Sequence, residues 1–226
     1  MTYPVVGVSL GVLGLALALR WGWLTRPGAL VGLVAGALLV TGTYAAGPIL
    51  LVTFLSSSSV LSRVRSVGTR NGWQVLANSA VPAIAALLAV AGALPCAGTA
   101  VAGAIAAVTA DTWATEVGTA LRASARLVTT WRRVQPGRSG AISVPGTGAG
   151  AAGAAAIALI ASYLPATAWG PALPPQFTPV LVGGLVGMFA DSFLGATVEG
   201  RIPGINNETV NLLGSLAGAV TACLLA

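Results

Sequence analysis

Residues 97–120 read AGTAVAGAIAAVTADTWATEVGTA, and this run decides the fold. Up to Ala110 it holds no charged residue, and alanine and glycine dominate it. About 20 predominantly apolar residues are enough for a helix to cross a bilayer. Small side chains on such a helix let neighbouring backbones approach closely where the hydrophobic effect no longer draws helices together. Asp111, Thr112 and Glu116 then appear in the same run. A carboxylate inside an apolar helix is costly unless it is paired, hydrated or bound to a cation, so it marks a functional site by default. One segment therefore points both to a membrane helix and to the place where chemistry sits on it.

The rest of the chain has the same character. Apolar residues make up 56% and charged residues 7%, with a mean hydropathy of +0.89. A soluble domain carries about a quarter charged residues, so the bilayer must be the solvent here. Further apolar runs cover Tyr3–Leu19, Ala29–Leu55, Trp73–Ala93, Gly146–Leu164, Phe177–Val198 and Thr209–Ala226. The reading is an all-α polytopic membrane helix bundle, one integral membrane domain over residues 1–226. The run Ala29–Leu55 is the awkward one. As a single helix it would reach roughly 40 Å, and Gly42 and Gly47-Pro48 interrupt it.

Arginine placement resolves it. If Ala29–Leu55 is a broken or re-entrant hairpin, the segments Arg20–Arg26, Arg63–Arg70, Arg122–Arg138 and Arg201 all fall on one side. The connections near Pro95 and across Pro165–Gln176 carry no charge and fall on the other. We therefore expect six spans plus a hairpin, with both termini outside and the arginine loops cytoplasmic, in a cell inner membrane. No basic residue precedes the first run, so a retained helix is expected there and not a signal peptide. Cys96 and Cys223 lack metal-ligand spacing and are expected as two free, buried thiols.

All 11 basic residues are arginine, and there is neither lysine nor histidine. That excludes a Walker lysine, a Schiff-base lysine, a serine–histidine triad and histidine-ligated zinc. The net charge of +6 is read as topology signal, with no nucleic-acid partner. Ala110-Asp111-Thr112-Trp113 recurs as Ala190-Asp191-Ser192-Phe193, an offset of 191 − 111 = 80 residues. Asp111, Thr112, Glu116, Asp191 and Ser192 are the candidate metal ligands; carboxylates with hydroxyls suit Mg²⁺, which usually bridges phosphates. Between the echoes lies a loop with Gly137, Arg138, Ser139, Gly140 and Ser143. Its glycines let backbone N–H groups converge on an anion ahead of a helix N-terminus, and arginine matches phosphate oxygens. Asn206, Asn207 and Asn211 open the last span, as helix caps or as amides for phosphate, and Asn78 is a further amide in an apolar run. Asp111, Asp191 and Arg138 are assigned the catalytic roles. Phosphoryl transfer needs mainly positioning and charge neutralisation. A phosphate monoester, with a second pKa of about 6, needs no strong base to act as acceptor.

Five stretches then carry a resemblance: 74–78, 110–118, 136–148, 191–197 and Asn206-Asn207 through Leu213. In this order they resemble the phytyl-phosphate kinase family of plants and cyanobacteria, a membrane family that includes transmembrane protein 19. The resemblance implies a CTP-dependent kinase that makes phytyl diphosphate, or another isoprenyl diphosphate, from the monophosphate. Its partners would be CTP or another nucleoside triphosphate, an isoprenyl monophosphate lipid and the membrane, with a homo-oligomer left open. Ser79, Arg138 and Glu199 depart from the family, which has glycine, threonine and glutamine there. The competing reading is a transporter or lipid-binding membrane protein without kinase activity, which the broken Ala29–Leu55 run favours.

Overall fold

A computed structural model describes residues 2–64 and 68–226. Eight long helices make up most of it: α1 (Thr2–Arg20), α2 (Arg26–Thr43), α3 (Ala46–Val64), α4 (Gly72–Val90), α5 (Ala97–Ala120), α6 (Val144–Tyr163), α7 (Phe177–Thr197) and α8 (Asn207–Leu224). Five of them, α1, α2, α4, α6 and α7, are long and apolar enough to cross a membrane. The others are of similar length, 18 to 24 residues, but carry small polar side chains that suit an interior facing other helices. The chain is an all-α polytopic membrane bundle.

The expected hairpin is present, and it is larger than expected. α2 and α3 are 18 and 19 residues long, each about 27 Å or more, and the chain reverses between them at Tyr44 (φ 41°). Each arm thus has the length of a full span and not of a short re-entrant half. Its second arm also continues through Ser56–Ser59, beyond Leu55 where the apolar run of the sequence ends. These hydroxyls bond back along the helix, as when Ser56 donates to the Val52 carbonyl at 2.7 Å, so the helix continues through them.

Both faces of the bundle can be traced through their loops. On one, Thr25 N donates to the Arg70 carbonyl, Arg70 N donates to the Trp23 carbonyl (both 3.0 Å), and Arg63 Nη2 donates to the Trp21 carbonyl at 2.6 Å. The 121–143 connection and the α7–α8 turn lie on this same face, so all the described arginines gather there; Arg65 lies outside the described residues. On the other face, Ala172 N reaches the Gly42 carbonyl at 3.3 Å. Cys96, before α5, and Cys223, near the end of α8, form a disulfide across 5.4 Å between Cα atoms. This corrects the expectation of two free thiols. The 127 residues between them conceal that α5 and α8 run antiparallel and end side by side.

Helix starts differ between the faces. On the arginine face Thr25 caps α2, Asn71 and Gln74 form a capping box on α4, Ser143 caps α6 and Asn206 caps α8. α5 and α7, which start on the opposite face, have no side-chain cap. A polar end supplies side chains for the orphan N–H groups, each cap contributing about 1 kcal/mol.

At the centre stands α5, surrounded by α4, α6, α7 and α8. Close glycine contacts fix its neighbours. A Cβ on Gly218 would lie 2.6 Å from Ala107 Cβ and 2.9 Å from the Gly103 carbonyl oxygen. α5 and α7 pack with Gly187 against Ala107, an offset of 187 − 107 = 80 residues, the same as between the two aspartates. The sequence echo is thus a pair of parallel neighbours in matching register. A small element absent from the sequence reading occupies the 121–143 connection: β1 (Ala125–Leu127) pairs antiparallel with β2 (Arg133–Val134) and β3 (Ala141–Ile142).

Candidate functional site

Where α5, α7 and α8 reach the arginine face, they open around a cavity of about 430 Å³. α5 contributes Asp111, Thr112, Thr115, Glu116 and Thr119; α7 contributes Met188, Asp191 and Ser192; α8 contributes Asn207 and Asn211. α4 adds Gln74 and Asn78, α3 adds Ser62, and Arg70 enters from the α3–α4 connection. The segment Pro136–Ser143 and the start of α6 complete the wall.

The parallel register brings the Asp111 and Asp191 carboxyls within hydrogen-bond reach of each other, with Glu199 nearby. Gly214 of α8 backs this pair: a Cβ there would meet Asp191 Cβ at 3.1 Å. Thr112, on the cavity wall, donates from Oγ1 to the Val108 carbonyl at 2.8 Å. Glu116 is buried, lines the same cavity, and accepts a hydrogen bond from Ser62 Oγ at 2.9 Å. Arg70 reaches the same corner, donating to Ser59 Oγ at 2.7 Å and to Ser62 Oγ at 3.4 Å. Burial lowers the pKa of its guanidinium, and Glu116 partly offsets this; an arginine remains charged all the same. Asn78 is nine-tenths buried, and its amide has no hydrogen-bond partner among the described residues.

The loop is held by contact with α7. Gly140 (φ 74°) lies so close that a Cβ would sit 2.5 Å from Ala196 Cβ, and Ser139 Oγ donates to Glu199. Gly137 also takes a positive φ, 85°. Of the residues singled out from sequence, Asp111, Thr112, Glu116, Asp191, Ser192, Gly137, Arg138, Ser139, Gly140, Ser143, Asn207, Asn211 and Asn78 share this cavity. Asn206 does not line it: it is exposed, and its Oδ1 caps α8 by accepting from Thr209 N at 3.0 Å. Ser143 is on the wall, but its Oγ also accepts from Gly146 N at 3.2 Å as the α6 cap. Arg132 and Arg133, in the same connection as Arg138, are exposed and do not line the cavity. Arg70, Ser62, Gln74 and Glu199 were not in the sequence set. Arg70 read as topology signal, and only its capping neighbours Asn71 and Gln74 hinted at a built corner.

Among the described residues, four of the five carboxylates face this cavity, against two arginines. Such an excess of negative charge disfavours a bare polyphosphate and favours one accompanied by a divalent cation. Among the described residues no three Asp, Glu, His or Cys side chains cluster as a ready-made metal cage. Two facing carboxylates with amide and hydroxyl oxygens fit Mg²⁺ nonetheless, because that ion usually takes one or two carboxylates and completes its shell with water and phosphate.

The sequence profile of the integral membrane protein DUF92 family matches residues 9–219, a span that includes all five resembling stretches. The chain is 38% identical over 154 residues to the uncharacterized membrane protein MJ0933 of Methanocaldococcus jannaschii, covering 67% of this chain and 60% of that protein. It is 33% identical over 112 residues to the uncharacterized membrane protein sll0875 of Synechocystis, 50% of this chain and 42% of that one. It is 27% identical over 117 residues to the chloroplastic protein VTE6 of Arabidopsis thaliana, 51% of this chain and 34% of that protein. The matched regions thus span between a third and three-fifths of those relatives. No solved structure matches the chain.

Proposed function

Since this chain belongs to the integral membrane protein DUF92 family, we propose that its polar cavity is the active site of a CTP-dependent isoprenyl monophosphate kinase. The observation that carries the reading is the convergence of Asp111 and Asp191 with Arg70 and Arg138 in one cavity at the membrane edge. The motif resemblance to phytyl-phosphate kinases supports the acceptor class.

In this reading an anionic oxygen of the acceptor monophosphate attacks the γ-phosphorus of the nucleotide. The bond from that phosphorus to the bridging oxygen breaks, and the products are the isoprenyl diphosphate and the nucleoside diphosphate. Asp111 and Asp191, with Thr112 and Ser192 beside them, would hold Mg²⁺, which when bound neutralises phosphate charge. Arg138 and Arg70 orient phosphate oxygens. The glycines of the Pro136–Ser143 segment allow its backbone to approach them, and the N-terminal ends of α6 and α8 add a favourable field. No side chain must remove a proton, because the nucleophile is already ionised, which suits a chain lacking lysine and histidine. The tightly packed opposite half of the bundle supports a one-sided enzyme over a transporter.

Purified protein with labelled CTP, Mg²⁺ and isoprenyl monophosphates should yield labelled diphosphate. Faster phosphorylation of the matching alcohol would overturn the acceptor assignment. Absence of transfer from every nucleoside triphosphate would overturn the kinase reading. The site is proposed to face the cytoplasm, from the gathered arginines and from the disulfide on the other face, where an oxidising compartment would keep it. With that disulfide intact, Ser124→Cys should react with an impermeant thiol reagent only from the cytoplasmic side and Ala93→Cys only from outside. The reverse pattern would invert the orientation.

A further inference from the structure

Beside the polar cavity lies a second one, of about 120 Å³, between α1, α2 and α3, with the start of α4 at its inner end. Its walls are apolar apart from Arg70, Asn78 and Ser79. Arg70 and Asn78 also line the polar cavity, and among the described residues they alone are on the walls of both. One is a fixed cation and the other a nine-tenths buried amide without a partner among the described residues. The lining of α1 runs from Gly7, which packs against Tyr44 at the α2–α3 turn, to Leu15, a rise of about 12 Å, so the groove descends from Arg70 on the arginine face past mid-bilayer toward that turn. Two glycines keep it open: a Cβ added at Gly11 or at Gly36 would meet nothing within 4 Å.

We infer that this groove holds the apolar tail of the acceptor, a single prenyl chain whose monophosphate passes between Arg70 and Asn78 into the polar cavity. Resting on the kinase reading above, the inference adds where chain length is measured. The occupant follows from the junction. A purely apolar ligand would leave a guanidinium and a bare amide facing it, whereas an anionic head satisfies both. An apolar groove with polar residues at one end fits one chain with a terminal charge.

Gly36→Leu tests it, with Gly11→Leu as an independent second variant, since at both positions an added Cβ enters open space. The KM for geranylgeranyl monophosphate should rise about tenfold, while geranyl monophosphate and CTP remain at wild-type values. An equal effect on long and short acceptors, or none with either variant, would overturn the groove assignment. A geranylgeranyl monophosphate analogue with a photoreactive chain end gives a readout that needs no turnover. Its label should map to α1–α3 in the wild type, compete with unlabelled geranylgeranyl monophosphate and fall in Gly36→Leu. Label elsewhere, or equal competition by an ordinary phospholipid, would overturn the proposal. Labelling of α1–α3 in a protein without kinase activity would retain the groove and remove the kinase reading.

Discussion

The two ends of α5 differ sharply. From Ala97 to Ala110 every residue is buried; from Asp111 to Ala120 only Glu116 and Gly118 are. Toward the disulfide face, backbones touch through Gly103, Gly183 and Gly218, and neighbours meet at van der Waals distance. Toward the arginine face the same helices end in caps and surround a polar cavity. One end is filled by small residues, and the other lines a polar cavity with carboxylates, amides and hydroxyls. The closed end sets the register of the open end, because the 80-residue offset that joins Gly187 to Ala107 also joins Asp191 to Asp111.

That division of labour can be broken from either end. The largest effect is expected at the open end, where Asp191→Asn should lower turnover by at least about a hundredfold. Thermal stability in detergent should hold or rise, because one of two adjacent carboxyls in apolar surroundings is replaced by a neutral amide. A folded Asp191→Asn variant with wild-type turnover would refute the catalytic assignment. The closed end should respond in the opposite way. Gly218→Leu overpacks the contact with Ala107 and should cost about 1–3 kcal/mol of stability, read as a lower melting temperature, with turnover per folded molecule kept. Equal stability would show that the packing is looser than the distances imply.

The signal strength of each region in the sequence follows the same division. Membrane class, the single-sided arginines and the aspartate pair were readable because each is a strong local departure: a long apolar run, a charge, or a charge within such a run. The continuation of α3 through Ser56–Ser59 was not, since hydroxyls that bond to their own helix look the same in sequence as hydroxyls that face water. The Cys96–Cys223 bridge was equally hidden, being a consequence of which helix ends meet.

Smaller effects sharpen the picture of the loop. Gly140→Ala places a Cβ against Ala196 and requires a left-handed backbone, at about 1–2 kcal/mol. It should raise the KM for nucleotide about tenfold while the bundle melts as before. A lowered melting temperature with normal KM would mean that the loop braces the helices and does not form the site. The smallest change is expected for Glu199→Gln, which keeps an acceptor for Ser139 and removes one negative charge near the aspartates. A decrease in nucleotide KM of less than about fivefold is expected, measured by transfer from labelled CTP. An increase would mean that the charge of Glu199 is itself used.

By itself the sequence determined the solvent of this protein, the side on which its charges gather, and which two aspartates stand in apolar helices, because burying a charge in lipid is prohibitive enough to be visible residue by residue. Only the tertiary structure decided that these aspartates touch, that Asn206 caps a helix while Asn207 and Asn211 face the cavity, and that Arg70 stands between a polar chamber and an apolar groove. Those facts depend on helix register and crossing, and register is set by many glycine and alanine contacts, each too weak and too alike to be read singly from the chain.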